Sequence, residues 1–316
     1  LRNEPSQMRV FEELPEQAPH IPTVLTVGVF DGVHLGHIHL LKHITQTASQ
    51  NNMQSAVITF SNHPRTVLSP DSPTNYLSTL EDRLTILKAT GIDIVVPLTF
   101  DRELSHLRAK EFTSILMERM NMAILVVGDD FVMGYRREGT IKVLESIGIE
   151  TGFSISVVYP LSFGATQISS TSIRQAILAG NMTGAAELLG RNFYIRAKVV
   201  HGDALGRTMG FPTANLKIET EHILPFDGIY ATYTMINGNR YMSATSIGLR
   251  PTFGGRERVV ETFVLDYTGD LYGSNIKVEF VERMRDEVYF ETADALSEQM
   301  HRDVADVRDM LSKKDL

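Results

Sequence analysis

The chain has 316 residues, 43% of them hydrophobic and 22% charged, which suits two packed domains and exceeds one small core. It contains no cysteine, so disulfides, thiolate catalysis and cysteine metal sites are excluded, and the composition fits a cytoplasmic protein. A formal net charge of −8 argues against a nucleic-acid partner but leaves room for a small anion in a locally positive pocket.

No run approaches the roughly 18 apolar residues of a membrane span. The acidic opening "LRNEPSQMRVFEELPEQ" lacks a signal peptide's apolar centre, and Met8 is the expected native start. "TVLTVGVF" (23–30) then predicts a buried strand and "HIHLLKHITQTASQNN" (37–52) a helix. "SAVITF" (55–60), "DIVVPLTF" (93–100) and "MAILVVG" (122–128) are further strands. "TLEDRLTILKATG" (79–91) and "AKEFTSILMERMN" (109–121) are helices between them. Nearly all-apolar strands alternating with helices predict a parallel sheet covered on both faces, with ligands at the carboxyl ends of its strands. "SPDSPT" (69–74) is a loop, read equally as a flap or as plain surface.

The pattern changes after "LAGNMTGAAELLGRNF" (178–193), where "TGAAELLG" reads as a short helix and the domain boundary is expected. Strands are predicted over 194–200, 228–236, 240–247, 260–267 and 275–283, rich in β-branched and aromatic residues, with "NGN" (237–239) as a tight hairpin turn. Serial strands with hairpin turns predict an antiparallel sheet or barrel, and one helix closes the chain at about 292–311. The domains are therefore expected at 1–185 and 186–316.

The junction "GVFDGVHLGH" (28–37) joins the first strand to the first helix. Its glycines, Gly28 and Gly32 among them, permit close backbone approach, and a helix start attracts anions. His34 and His37 share a face if helical and suit phosphate oxygens or a leaving pyrophosphate. A metal is the competing reading, since His39 and His43 follow; no cysteine or clustered carboxylate completes a zinc set. "ISSTSIRQAILAG" (168–180) offers a second anion site. Ser169, Ser170 and Thr171 can cap a helix, and Arg174 lies one turn in. "VVGDDFVMGYRREG" (126–139) places Asp130 after a strand, and "TFSNHPR" (59–65) does the same for Phe60 and His63. Three strand ends with polar clusters fit one cleft.

Neither a Walker P-loop nor G-x-G-x-x-G is present; "GDALGRT" is one residue short and has arginine for lysine. "HGDALGRTMGFPTANL" (201–216) is instead a glycine-rich loop whose amides suit phosphates. Thr213 and Asn215 alternate onto one side of an extended chain, and their neutral oxygens suit Mg²⁺ bound with a nucleotide. Glu261, in "VETFVLDY", is either a solvent-face residue or a general base; spacing favours the former.

Taken together the motifs resemble the prokaryotic bifunctional FAD synthetase family, riboflavin kinase joined to FMN adenylyltransferase, over nearly the whole chain. "GVFDGVHLGH", "TFSNHP", "VGDDFVMG" and "ISSTSIR" resemble its nucleotidyltransferase motifs. "GRTMGFPTAN", "DGIYA", "IGLRPTFGG" and "VETFVLDYTGDLYG" resemble its kinase motifs. The resemblance implies an α/β Rossmann-like nucleotidyltransferase domain, then a six-stranded antiparallel barrel and a C-terminal helix. ATP contacts are implied for Gly28, Phe30, Asp31, Gly32, His34, His37, Asp130, Ser170, Thr171 and Arg174, with Phe60 and His63 lining the flavin and nucleotide cleft. In the barrel it implies ATP contacts from Gly202, Gly206, Arg207, Thr208, Gly210, Pro212, Thr213 and Asn215. Thr213 and Asn215 also hold Mg²⁺, and Glu261 takes the proton of the ribityl 5′-hydroxyl. The catalytic group is thus His34, His37, Arg174 and Glu261. Riboflavin, FMN, FAD and ATP are the implied small molecules, with neither nucleic acid nor membrane. The sequence departs from the family at Asn62, often proline, at Leu35, commonly arginine, and at Arg250, often asparagine. Two other readings stand: an adenylyltransferase for a different phosphorylated substrate with a flavin-binding barrel, and a non-enzymatic flavin sensor. Oligomeric state is not legible.

Overall fold

A computed structural model describes residues 9–71, 74–163, 166–202, 210–219, 221–252 and 255–314, and divides the chain into two units, Leu1–Ser170 and Thr171–Leu316. In the first unit the elements are α1 (Arg9–Glu13), β1 (Thr23–Gly28), α2 (Leu35–Gln50), β2 (Gln54–Phe60), α3 (Pro64–Leu68), α4 (Leu80–Ala89), β3 (Ile94–Leu98), α5 (Arg102–His106), α6 (Ala109–Met120) and β4 (Met122–Gly128). There follow β5 (Val132–Met133), β6 (Gly139–Thr140), α7 (Ile141–Thr151), β7 (Ser154–Val158), β8 (Ser162–Phe163) and β9 (Thr166–Gln167). Helix α8 (Ser170–Leu178) spans the division.

Strands β3-β2-β1-β4-β7 form one parallel sheet. β1 lies at its centre, and five of its six residues are buried, Thr23 to Val27. Successive side chains leave a strand on opposite faces. Leu25 and Val27 accordingly join Ile58, Leu116 and Met120 on one face, while Val24 joins Val57, Val126, Leu41 and Ile44 on the other. This is why the strand reads as apolar throughout rather than alternating. From β1 the chain first builds outward through β2 and β3, then returns to add β4 and β7 on the other side. The reversal opens a crevice at the carboxyl ends of β1 and β4, where such sheets bind ligands. The strand at 154–158 and the helix at 141–151 were not expected from sequence.

The second unit continues with α9 (Met182–Leu189), β10 (Phe193–Val200), β11 (Thr213–Lys217), β12 (Gly228–Ile236), β13 (Asn239–Thr252), β14 (Gly255–Val264), β15 (Asn275–Arg285) and α10 (Ala293–Lys314). Six strands close a barrel in the order β10-β11-β14-β13-β12-β15. The Asn237–Gly238 turn joins β12 to β13 with φ of 51° and 82°, as a two-residue type I′ hairpin requires. Hydroxyls inside the barrel satisfy one another: Thr232 Oγ1 lies 2.8 Å from both Ser243 Oγ and Thr245 Oγ1, and Thr245 Oγ1 lies 2.9 Å from Thr262 Oγ1. Sequence reading expected the domain boundary after 185; the compact units divide at Ser170/Thr171, and α9 packs against β10 and β15.

Helix α10 buries Val307 and Leu311 against Ala231, Tyr233, Leu265 and Val281 on the barrel's outer face. A bidentate ion pair fastens its middle: Arg285 Nε donates to Asp303 Oδ1 at 2.8 Å, and the same guanidinium donates to Oδ2 at 2.6 Å. Gln299 donates to Oδ1 at 2.9 Å. Asp303 is 6% exposed and the Arg285 side chain 23% exposed, so removing the carboxylate leaves a partly buried guanidinium without its bidentate partner. Asp303→Ala is expected to destabilise this unit by about 3 kcal/mol, read as a lowered denaturation midpoint with unchanged slope.

Candidate active sites

The first site begins where β1 ends. Between Gly28 and Leu35 the backbone makes a turn that L-residues resist: φ is 52° at Phe30, 77° at Gly32 and 37° at Val33. Asp31, 2% exposed, holds the turn from within. Its two carboxylate oxygens each accept the Leu77 amide at 3.0 Å, and one also accepts the Ser78 amide at 3.2 Å and the Ser78 hydroxyl at 3.3 Å. The Ser78 hydroxyl in turn accepts the Gly32 amide at 3.0 Å. Ser170 Oγ donates to the Asp31 carbonyl at 3.1 Å, bringing the second anion motif to the same turn.

The turn delivers His34 as the N-cap of α2, with extended backbone at φ −79° and ψ 175°. Sequence reading paired His34 with His37 on one helical face. They meet instead through the cap: His34 Nδ1 accepts the His37 amide at 3.3 Å, and the two rings stack at 3.6 Å and 18°. With Nδ1 as acceptor, the neutral His34 ring carries its proton on Nε2, a donor suited to an anion. The positive end of the α2 dipole adds to this preference. Phe30 also packs against His37, the ring centroids 5.0 Å apart and the planes tilted by 58°. His43 belongs elsewhere, its Nε2 2.8 Å from Ser156 Oγ on β7. Among the described residues, no group of three or more His, Cys, Asp or Glu is placed to hold a metal.

Adjacent strand ends carry the other expected residues. Phe60 ends β2 and packs edge-on against Phe100 at 5.3 Å. His63 caps α3, and its amide donates to the Tyr76 hydroxyl at 2.7 Å. Asn62, the family departure, exchanges two hydrogen bonds with the Phe100 backbone, at 2.8 and 2.9 Å, and so fixes this loop to the end of β3. Asp130 is exposed beyond β4. In α8, Ile173 and Ile177 are buried, Thr171 is exposed and Arg174 half-buried.

The second site is on the outer face of the barrel. Asn215 on β11 and Ser246 on β13 flank Glu261 on β14 as direct cross-strand partners, so all three share a face. Thr213 joins them two residues from Asn215. Two cavities meet there. One, of about 280 Å³, is bounded by Phe263, Phe290, Leu296 and Met300 on its apolar side, by the hydroxyls of Thr213, Thr245 and Ser246, and by Glu261, Glu287 and the Arg285–Asp303 pair. The other, of about 470 Å³, is bounded by Pro212, Thr213, Tyr267, Asp270 and Tyr272 and reaches the inward-facing Ala214, Thr262 and Val264. Thr213 is their common wall. Glu287 accepts a hydrogen bond from Ser246 Oγ at 3.3 Å; desolvation raises its carboxyl above the usual range, and the Ser246 bond works the other way. Gly202 lies so close to Asn215 that a Cβ there would clash with the Asn215 side-chain amide, which ties the start of the glycine-rich loop to this face. Pro212 precedes β11, and Gly210 has φ of 84°. Gly206, Arg207 and Thr208 lie outside the described residues, as does the side chain of Arg250.

Sequence reading missed Leu77, Ser78, Glu287, Arg285 and Asp303. The first two act through backbone amides and one hydroxyl, which no motif marks. The last three become neighbours of Glu261 only when the barrel closes and α10 covers it.

The family model for FAD synthetase matches residues 16–172, and that for riboflavin kinase matches 189–311. The chain is 38% identical over 295 residues to the bifunctional riboflavin kinase/FMN adenylyltransferase of Escherichia coli strain K12, covering 93% of this chain and 94% of that one. It is 34% identical to the protein of the same name from Haemophilus influenzae, covering 89% and 91%. A crystal structure titled as a macrolide-efflux protein from Streptococcus pneumoniae is similar with a TM-score of 0.87 and 32% identity, covering 95% of this chain and 97% of that one. Among the described residues of this chain, no helix is long and apolar enough to cross a membrane.

Gly36 makes the histidine stack possible, because a Cβ there would lie 3.1 Å from His34 Nδ1 and 3.3 Å from the Ile168 carbonyl. Gly36→Ala should separate the rings, seen as shifted His34 and His37 ring proton resonances with the unfolding temperature nearly unchanged.

Proposed function

The chain belongs to the bifunctional riboflavin kinase/FMN adenylyltransferase family, and from that premise we propose which residues perform each reaction. It is an enzyme of FAD biosynthesis that phosphorylates riboflavin to FMN with ATP, and adenylates FMN to FAD with ATP, releasing pyrophosphate. Flavins are thus substrates and products, and ATP, riboflavin and FMN are its small-molecule partners. We assign residues 1–185 to adenylyl transfer and 186–316 to the kinase; the matched segments end at 172 and begin at 189, on either side of that boundary. Both reactions consume ATP, which supports a cytoplasmic location, and neither calls for nucleic acid or a membrane surface.

The observation that carries the adenylyl-transfer assignment is the His34–His37 stack at the amino end of α2, on the turn that leaves β1. An oxygen of the FMN phosphate forms a bond to the α-phosphorus of ATP as the bond from that phosphorus to the bridging oxygen breaks. Charge moves onto pyrophosphate. Imidazole N–H groups and a helix dipole aimed at those oxygens stabilise that charge, a contribution worth about a hundredfold in rate. By the resemblance of their motif, Ser170, Thr171 and Arg174 are assigned to the phosphate contacts. FMN phosphate is already anionic, so the step needs no strong base.

Riboflavin is different, because its 5′-hydroxyl must lose a proton as it attacks the γ-phosphorus and ADP leaves. Glu261 accepts that proton in this reading. Its position supports the assignment: it faces an apolar cavity suited to a flat flavin ring, and Thr213 joins that cavity to the larger one, suited to ATP. Thr213 and Asn215 would hold Mg²⁺ with ATP. Their neutral oxygens are the hard donors the ion prefers, and the ion would neutralise phosphate charge when bound. Gly202, Gly210 and Pro212 frame the ATP loop, to which the motif also assigns Gly206, Arg207 and Thr208.

His34→Ala should lower FAD formation about a hundredfold and leave FMN formation intact. Glu261→Ala should do the reverse. Chromatography of the flavins formed from riboflavin or FMN with ATP checks both variants; equal loss of the two activities in either one would sink the assignment.

A further inference from the structure

Arg83 lies in the middle of α4 and is 1% exposed, among the largest fully buried side chains of the described residues. A buried guanidinium is expensive unless its donors are used. Two of them are used on strand ends. One amino group donates to the Val29 carbonyl at 2.6 Å, one residue past β1, and the other donates to the Ser61 carbonyl at 3.3 Å, one residue past β2. Burial pulls the guanidinium below its ordinary value, and the charges of Asp31 and Tyr76 act in the opposite direction.

The two carbonyls have a particular location. The β1–β2 ladder ends at the Gly28–Thr59 pair, so Val29 and Ser61 stand where the chain leaves the sheet. Val29 opens the turn that carries Asp31 and His34. Ser61 opens the loop that carries Asn62 and His63. Thr59 Oγ1 also donates to the Val29 carbonyl, at 3.0 Å, and the Ser61 amide donates to the Leu98 carbonyl at 2.8 Å, so both exits are fixed at their roots. Arg83 also belongs to the helix whose cap, Thr79, directly follows the Leu77–Ser78 amides bonded to Asp31. The fork geometry matters here, since a planar guanidinium reaches two carbonyls of adjacent strands at fixed spacing and an ammonium does not.

We propose that Arg83 is a positioning residue for adenylyl transfer: it clamps the exits of β1 and β2 and so sets the placement of His34 and His37 over the reacting phosphates. It touches no substrate. The inference rests on the histidine assignment made above. A misplacement of about 1 Å at a reacting group costs on the order of a hundredfold in rate, so a small change in the clamp is read as a loss of turnover rather than of binding.

The test uses the full chain with Arg83→Lys and Arg83→Met, and measures kcat and KM for FAD formation. FMN formation in the same molecule and thermal unfolding serve as controls. Expected for Arg83→Lys are a kcat reduced about tenfold to a hundredfold and KM for FMN within about threefold. Its FMN formation and unfolding temperature should stay close to those of the parent, and Arg83→Met should be slower still. Turnover that falls only in proportion to the unfolded fraction would make Arg83 purely structural and overturn the proposal. Parental kcat in both variants would overturn it too. His34→Ala separates the two readings: intact FAD formation there defeats the histidine assignment and with it this positioning role, whereas intact FAD formation in the Arg83 variants defeats the clamp alone.

Discussion

The first unit depends on one buried carboxylate. Asp31 stands between two L-residues in the left-handed region, Phe30 and Val33, conformations that cost on the order of 1–2 kcal/mol each. For a β-branched valine such a φ is rare. The turn persists because Asp31 accepts two backbone amides and a hydroxyl from Leu77 and Ser78, bonds to a charged acceptor being the strong kind. Without that turn His34 could not cap α2 and fold its ring over His37. The resemblance implied that Asp31 touches ATP. Its carboxylate is buried and bonded to Leu77 and Ser78, and so shapes the loop that carries the histidines.

The second unit solves a different problem with a different constraint. A closed barrel has no free edge, and its interior hydroxyls are used on one another, so the carboxylate of its candidate site comes from the outer face of a strand. Alternation puts Val260, Thr262 and Val264 inside, which forces Glu261 and Phe263 outward. Outward-facing residues are normally solvated. Here α10 and the segment leading into it add Phe290, Leu296 and Met300, turning a solvent face into a cavity. The Arg285–Asp303 pair, which fastens α10, is therefore also part of that cavity's wall.

Much of this was legible because the signals are local. All-apolar strands gave the parallel sheet, "NGN" gave the hairpin, and the glycines of 28–37 marked the unusual turn. Strand β7 was hidden because it is short, carries Ser154 and Ser156 and lies at the sheet edge, where burial is partial and the apolar pattern weak. Helix α8 was placed correctly from the capping hydroxyls at its start. Glu261 shows a subtler limit. Spacing favoured a solvent-face residue and the family favoured a base, and the structure makes it outward-facing yet enclosed by α10. Arg83 was invisible for a related reason. A charged residue in an otherwise ordinary helix reads as surface, and only the sheet behind it reveals the two carbonyls it serves.

The two sites also differ in a way that their reactions explain. Adenylyl transfer begins with a phosphate oxygen that already carries charge, so the demand falls on the leaving group. In the proposed assignment, histidines at a helix end would meet that demand with fixed donors and no base. Phosphorylation begins with an alcohol, whose proton must go somewhere as the new bond forms, so the demand falls on the nucleophile. In the same assignment, the carboxylate of Glu261 at the cavity edge would meet it. A parallel sheet, which gathers helix ends and turns at one crevice, supplies the first kind of site readily. A barrel face roofed by a helix supplies the second, because it encloses an apolar ring while leaving one carboxylate of the strand ladder pointed at the cavity. The division of labour assigned to this chain follows from which protons and charges each fold can manage.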